Sequence, residues 1–204
     1  MITLKEKFDK KDITLLPKES FKGRIFVIIS EKESDKAVKY LLNQKIIGID
    51  TETRPSFRRG QHYKVALLQV STHDTCFLFR LNRIGITSSL KKLLEDCKVI
   101  KVGLSLKDDL RLLSEREDFT PGLFIDIQNE IKDIGIQDLS LQKIYANIFG
   151  MKIAKNQQLT NWEADALTEA QQLYAATDAW ACIRIHEELK RLKETGDYTI
   201  IKTD

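Results

Sequence analysis

Four carboxylates stand at positions where the surrounding pattern calls for apolar side chains. Asp50 and Glu52 close the apolar run IIGIDTE. Side chains alternate across a strand, so residues two apart project from one face. Two acids side by side repel, and partial burial adds a desolvation cost that a divalent cation between them would offset. A solvated strand end before a turn would also accept the pair. Asp109 lies in KVGLSLKDDLRLL, where helical phase puts Leu106, Leu110 and Leu113 on one stripe, Asp109 at its edge, and Asp108 toward Lys107 and Arg111. An early-turn aspartate is also favoured by the helix dipole alone. Asp178, in LYAATDAWACIRIHEEL, falls in mid-stripe among Ala170, Tyr174, Ala181, Ile185, Leu189 and Leu192. A carboxylate there calls for a metal, a proton or a buried basic partner. Tyr174 sits one turn earlier and shares its face, either as a core ring or as a hydroxyl aimed at the acid. Oxygen donors of this kind suit hard cations such as Mg²⁺ or Mn²⁺.

The elements that must bring these residues together alternate between strand and helix patterns. Strand signals cover Arg24–Ser30, Lys45–Thr51, Lys64–Ser71, Cys76–Leu81, Val99–Val102 and Leu123–Ile125. Helix patterns run over Asp35–Asn43, Ser88–Asp96, 105–116, 127–133, 138–149 and 168–194. Strands early and helices mostly later, with a βαβ-like passage, predict a layered α/β domain with a mixed sheet. The simplest organisation is an N-terminal arm over 1–20, one domain over 21–194 and a loosely held tail over 195–204. No repeat, low-complexity tract or linker divides the chain.

The composition of this chain of 204 residues excludes several classes. Hydrophobic residues make up 42% and charged residues 31%, as in ordinary globular proteins. A formal net charge of +3 is too small to mark a nucleic-acid binder by itself. The three cysteines, Cys76, Cys97 and Cys182, are widely spaced and contain no CxxC. They predict buried thiols in a reducing compartment, with no disulfide-linked partner. The histidines His62, His73 and His186 show no zinc spacing. No apolar run approaches the roughly 20 residues that span a bilayer. The N-terminal MITLKEKFDKKD lacks a signal-peptide core. A cytoplasmic setting follows, with the nucleus open to a eukaryotic protein.

The acids and the tyrosine, in this order, resemble the DEDD exonucleases of the DnaQ-like, ribonuclease H-like superfamily. The resemblance is to the tyrosine (DEDDy) subclass, in particular ribonuclease D and the exonuclease domain of the Werner syndrome helicase. It spans about residues 24 to 192, and its most specific piece is TNWEADALTEAQQLYAATDAWA. The histidine subclass would carry its histidine at Leu173. The resemblance implies a ribonuclease H-like mixed central sheet flanked by helices. It implies 3′-5′ exonuclease activity on a DNA or RNA 3′ end, releasing nucleoside 5′-monophosphates with two Mg²⁺ or Mn²⁺ ions. Asp50 would bridge the ions, Glu52 and Asp178 would complete one shell, Asp109 would hold the other, and Tyr174 would aim the attacking water. In the loop after the first motif, Arg54, Phe57, Arg58 and Arg59 are candidates for gripping substrate, with Lys152 and Lys155 secondary. Leu104 would pack on the terminal base by family analogy. Neither a helical HRDC domain nor a helicase region follows, so a stand-alone nuclease domain is expected. A catalytically silent binding module on the same fold is the alternative; it commonly lacks one of the acids that are all present here. An endonuclease on a related scaffold is a further one.

Overall fold

A computed structural model describes residues 1–58, 60–154 and 156–202. Its centre is a mixed sheet of six strands: β2 (Arg24–Ile28), β3 (Ile46–Glu52), β4 (Leu67–Ser71), β5 (Thr75–Phe79), β6 (Ile100–Gly103) and β7 (Phe124–Asp126), in the order β2-β5-β4-β3-β6-β7. β4 runs antiparallel to both β3 and β5, whereas β2–β5, β3–β6 and β6–β7 are parallel. The parallel strands β3, β6 and β7 therefore all end at one edge, the side on which α/β sheets hold their ligands. This is the expected mixed α/β architecture.

Alternation along β3 divides the core. Ile47 and Ile49 face one layer, which contains Val38 of α2 (Glu31–Leu41), Leu90 of α4 (Ser88–Glu95), and Leu106 and Leu113 of α5 (Leu106–Ser114). Gly48, Asp50 and Glu52 face the opposite layer. That layer is built on α8 (Glu169–Thr195), with α6 (Ile127–Asp133) and α7 (Leu141–Phe149) beside it. Between Tyr174 and His186, α8 is buried on most of its circumference and not along a single stripe: Ala170 is exposed and Ala175, Ala176 and Ala179 are buried. Thr168 and Gln171 form a capping box at its start, and Gly196 ends it in the left-handed region at φ 68°.

Several expectations shift. The second helix begins at Glu31, not Asp35, because Ser30 and Glu33 close a capping box; that also stops the preceding strand at Ile28. Two four-residue helices, α1 (Lys10–Ile13) and α3 (Leu81–Ile84), are too short to leave a periodic signal. Cys76 and Cys182 are buried as expected, but Cys97 is exposed. Among the described residues no helix is long and apolar enough to cross a membrane.

The two ends differ most from expectation. Residues 2–5 form β1 (Ile2–Lys5), which pairs in parallel with β8 (Tyr198–Ile201). The segment expected as a loose tail is therefore partly a strand. Asn147 of α7 brackets Lys5, its amide donating to the Lys5 carbonyl and its side-chain oxygen accepting the Lys5 N–H. Leu4 is fully buried among residues of α6, α7 and α8. Ion pairing of Glu19 with Arg184, and the hydrogen bond from the Tyr145 hydroxyl to Glu19, fasten the rest of the N-terminal segment to the body.

Leu4→Ala should consequently destabilise the protein by about 2–5 kcal/mol, a core truncation and not a surface change. The midpoint of urea unfolding measures it; a shift within error of zero would return residues 1–20 to the status of an appendage.

Candidate active site

The end of β3 presents Asp50 and Glu52 toward α8, and α8 brings Asp178 to meet them. The approach is possible because Gly48 has no side chain. A Cβ at Gly48 would lie 1.8 Å from the carbonyl oxygen of Ala179, the residue after Asp178. Glycine inside a strand thus marks a close backbone approach. One carboxylate oxygen from each of Asp50, Glu52 and Asp178 lies within 4.8 Å of the others, so the trio can hold a metal ion. Glu52 and Asp178 are only 8% and 7% exposed.

Such proximity is electrostatically unfavourable. At an effective dielectric near 20, two unit charges 4.8 Å apart repel by about 3 kcal/mol. Burial, then Asp109 and Asp178, raise the Asp50 carboxyl well above the usual range. Glu52 is pushed up to about 10 by burial first and by Asp50, Asp178 and Asp109 next. The donor set is all oxygen and strongly anionic, which fits a hard divalent cation.

Asp109 arrives from the other side of the sheet. It stands in the first turn of α5, and the Thr51 hydroxyl, on the α5 face of β3, donates a hydrogen bond to it. Asp109 is thus outside the group of three mutually close carboxylates but adjoins it, near enough to raise Asp50. Burial pushes its own carboxyl up to about 6, against the lowering effect of Thr51. Asp108 is exposed and pairs with Arg111, as its helical phase predicts. Thr51 left no chemical signature between its two acidic neighbours; its role follows from strand alternation combined with the position of α5.

Tyr174 lies one turn before Asp178, buried, with its hydroxyl hydrogen-bonded to that acid. Burial and then the charge on Asp178 push the phenol far upward, so it stays protonated and acts as a donor. The fully buried Trp162 ring backs it at a centroid distance of 6.1 Å. The acids open into a cavity of about 300 Å³ that Leu104, Gln142, Gln158 and Cys182 also line. Leu104 therefore does reach the site. Cys182 lies four residues after Asp178, so helical phase alone could have placed it there.

The candidate substrate grip is more dispersed. Arg54, Phe57 and Arg58 line a neighbouring cavity of about 560 Å³ together with Gln61, Tyr63 and Asn161. Phe57 is 85% exposed. Arg54 is already engaged, stacked over Tyr63 and paired with Glu163. Lys152 donates to the Thr14 carbonyl, so its ammonium serves the N-terminal segment. Arg59 and Lys155 lie outside the described residues.

Residues 25–194 match the family model of the 3′-5′ exonuclease. The chain is 31% identical over 161 residues to the mouse bifunctional 3′-5′ exonuclease/ATP-dependent helicase WRN, covering 74% of this chain but 11% of that protein. It is 31% identical over 204 residues to a 3′-5′ exonuclease of Arabidopsis thaliana, covering 87% of this chain and 67% of the relative. The crystal structure of Escherichia coli RNase D, an exoribonuclease involved in structured RNA processing, superposes with a TM-score of 0.75 at 23% identity. That match covers 83% of this chain and 45% of the other, and shows a shared fold.

The raised Glu52 fixes a pH dependence. Its folded-state value lies above the unfolded one, so its contribution to stability is complete below about pH 4.5 and is lost as pH rises toward about 10. In chelator, Glu52→Gln should therefore gain thermal stability over the native protein as pH increases from 5 to 9. Saturating Mg²⁺ should raise the native midpoint and shrink that gap. Scanning fluorimetry reads both, and parallel pH curves for the two proteins would contradict the electrostatic account.

Proposed function

The chain belongs to the 3′-5′ exonuclease family, and from that premise we propose that it removes nucleotides singly from the 3′ end of a DNA or RNA strand by two-metal-ion hydrolysis. The observation that carries the reading is the convergence of the Asp50, Glu52 and Asp178 carboxylate oxygens within 4.8 Å, with Asp109 adjoining. Asp50, Glu52 and Asp178 would hold one Mg²⁺ or Mn²⁺, and Asp109 with Asp50 a second. Bound divalent cations would supply hydroxide at neutral pH and offset the charge that develops on the phosphate.

The chain's own groups then divide the remaining work. Tyr174 is too weak an acid to act as a base at neutral pH, so its hydroxyl orients: it fixes Asp178 and directs the water toward the terminal phosphodiester. Leu104 offers an apolar surface beside Asp50 on which the terminal base packs. The cavity of about 300 Å³ suits the terminal nucleotide, and the larger one lined by Arg54, Phe57 and Arg58 suits the strand that precedes it. Cleavage releases a nucleoside 5′-monophosphate. The RNase D neighbour is named as an exoribonuclease and the name of the WRN relative states no nucleic acid, so neither assigns a substrate to this chain. The odd number and wide spacing of the cysteines, without a CxxC, are the ground on which we propose a reducing, cytoplasmic or nuclear setting.

On 5′-labelled single strands, the native protein should give a ladder shortening from the 3′ end in Mg²⁺ or Mn²⁺ and none in chelator. Asp178→Ala should lower turnover by about 1,000-fold or more while the circular dichroism spectrum persists, because the acids act as one unit. Tyr174→Phe should cost about 10- to 100-fold, as loss of a group orienting a metal ligand does. Near-native turnover by folded Asp178→Ala would overturn the assignment. Arg58→Glu tests the grip separately: KM should rise and its dependence on salt flatten, with kcat little changed. A KM equal to the native value at every salt concentration would remove the loop from substrate binding.

A further inference from the structure

Asp126, the last residue of β7, makes contacts that reach beyond its own helix. Its Oδ1 accepts the N–H of Gln128 at 2.9 Å, the usual capping bond at the start of α6. The same Oδ1 accepts the N–H of Ser105 at 3.0 Å, and Oδ2 accepts the N–H of Leu106 at 2.9 Å. One carboxylate therefore clasps the starts of two helices, α5 and α6, at the strand edge where the acids gather.

Ser105 explains why a clasp is needed. It has φ 61° and ψ 37°, and among the described residues no other non-glycine residue has a positive φ. An L-residue adopts that conformation at a cost unless neighbours hold it there. Ser105 stands at the N-cap of α5 but makes no side-chain capping bond; its hydroxyl accepts instead from the Gln128 amide. The two N–H groups of this turn are satisfied by Asp126.

What flanks the turn stands in or beside the catalytic pocket. Leu104, immediately before it, lines the cavity of the acids. The pairing of Gly48 with Val102 puts Leu104 level with Asp50 on the same sheet face. Asp109, four residues after Ser105, sits in the first turn of α5 with Thr51 donating to it, and adjoins the three acids without lining that cavity. Asp126 itself is not among the residues that line the cavity.

We propose that Asp126 is a positioning residue for the hydrolysis: by clasping the strained Ser105 turn it sets how deeply Leu104 enters the pocket and how far Asp109 reaches toward Asp50. This rests on the exonuclease reading of the same site. Helix capping alone would concern stability. The clasp ties β7 to the turn between Leu104, which lines the pocket, and the start of α5, which carries Asp109, so its loss should be felt in turnover.

The test compares the full chain with Asp126→Ala, Asp126→Asn, Ser105→Gly and the Asp126→Ala/Ser105→Gly pair. Each is measured for thermal midpoint, for Mn²⁺ binding through the paramagnetic resonance signal of free Mn²⁺, and for kcat and KM on a single-stranded oligonucleotide. Asp126→Ala should lower kcat by about 10- to 100-fold and weaken Mn²⁺ binding, the effect of losing a group that orients a metal ligand. Glycine at 105 adopts the turn without the clasp, so the pair should regain about tenfold or more of the lost kcat. Folded Asp126 variants with native kcat and Mn²⁺ affinity would overturn the proposal. So would a Ser105→Gly exchange that restores the thermal midpoint of Asp126→Ala but not its kcat. If Asp126→Ala does not fold, Asp126→Asn, which keeps the volume and one acceptor, decides by the same readings. Failure of both to fold would also overturn the proposal, by making the clasp a requirement of the whole fold. A native protein without metal-dependent 3′ shortening would instead sink the exonuclease reading itself.

Discussion

Three carboxylates held within 4.8 Å of one another repel, and the fold must oppose that repulsion whenever no cation is present. At about 3 kcal/mol for each pair, full ionisation would consume much of the 5–15 kcal/mol by which a domain is stable. Protonation relieves the strain, which is the physical meaning of the raised Asp50 and Glu52. The restraints are backbone restraints. Asp50 and Glu52 are fixed by a strand paired with β4 at both positions and with β6 up to Gly48, and Asp178 by the middle of a helix of 27 residues. Neither can swing away without breaking a ladder or a helix.

The contact that decides the geometry is between Gly48 and the Ala179 carbonyl. Any side chain at 48 would push α8 off β3, since its Cβ would stand 1.8 Å from that oxygen and 2.8 Å from its carbon. The displacement needed exceeds what a well-packed core absorbs. Asp178, next to Ala179, would move with the helix. The small residues Ala175, Ala176 and Ala179 serve the same close packing from the helix side. The glycine of IIGIDTE is therefore as much part of the site as the acids that follow it.

How much of this was legible in the sequence depends on how local each signal is. Asp50 and Glu52 share a face by alternation, and Tyr174 and Asp178 share one by helical phase; both are properties of a few consecutive residues. The six strands of the main sheet were each visible as apolar runs, with boundaries shifted by caps such as Ser30–Glu33. Register and layer order are not local. That Asp109 meets Thr51 on the α5 face of β3 needed the position of α5 against β3, which no periodicity states. The strand pairing of residues 2–5 with 198–201 joins the two ends of the chain, and each segment alone is too short to signal. The partner of Arg54 was hidden for the same reason, since Glu163 lies 109 positions away in sequence.

That pairing is one of three by which arginines hold the turn at 162–165. Arg54 pairs with Glu163, the almost fully buried Arg80 donates to the Ala164 carbonyl, and Arg83 donates to the carbonyl and carboxylate of Asp165. Trp162 opens this turn and backs Tyr174. Gln171 closes the arrangement from the other side, its amide donating to Thr160 and to the Asn161 carbonyl. A guanidinium suits such a task, because its planar set of donors can hold a carbonyl in place and it stays charged when partly buried. The specificity of the TNWEADALTEAQ stretch then has a mechanical reason. Its Trp162 backs the Tyr174 ring, and the hydroxyl of that ring is hydrogen-bonded to Asp178, so the stretch acts on the acids through Tyr174.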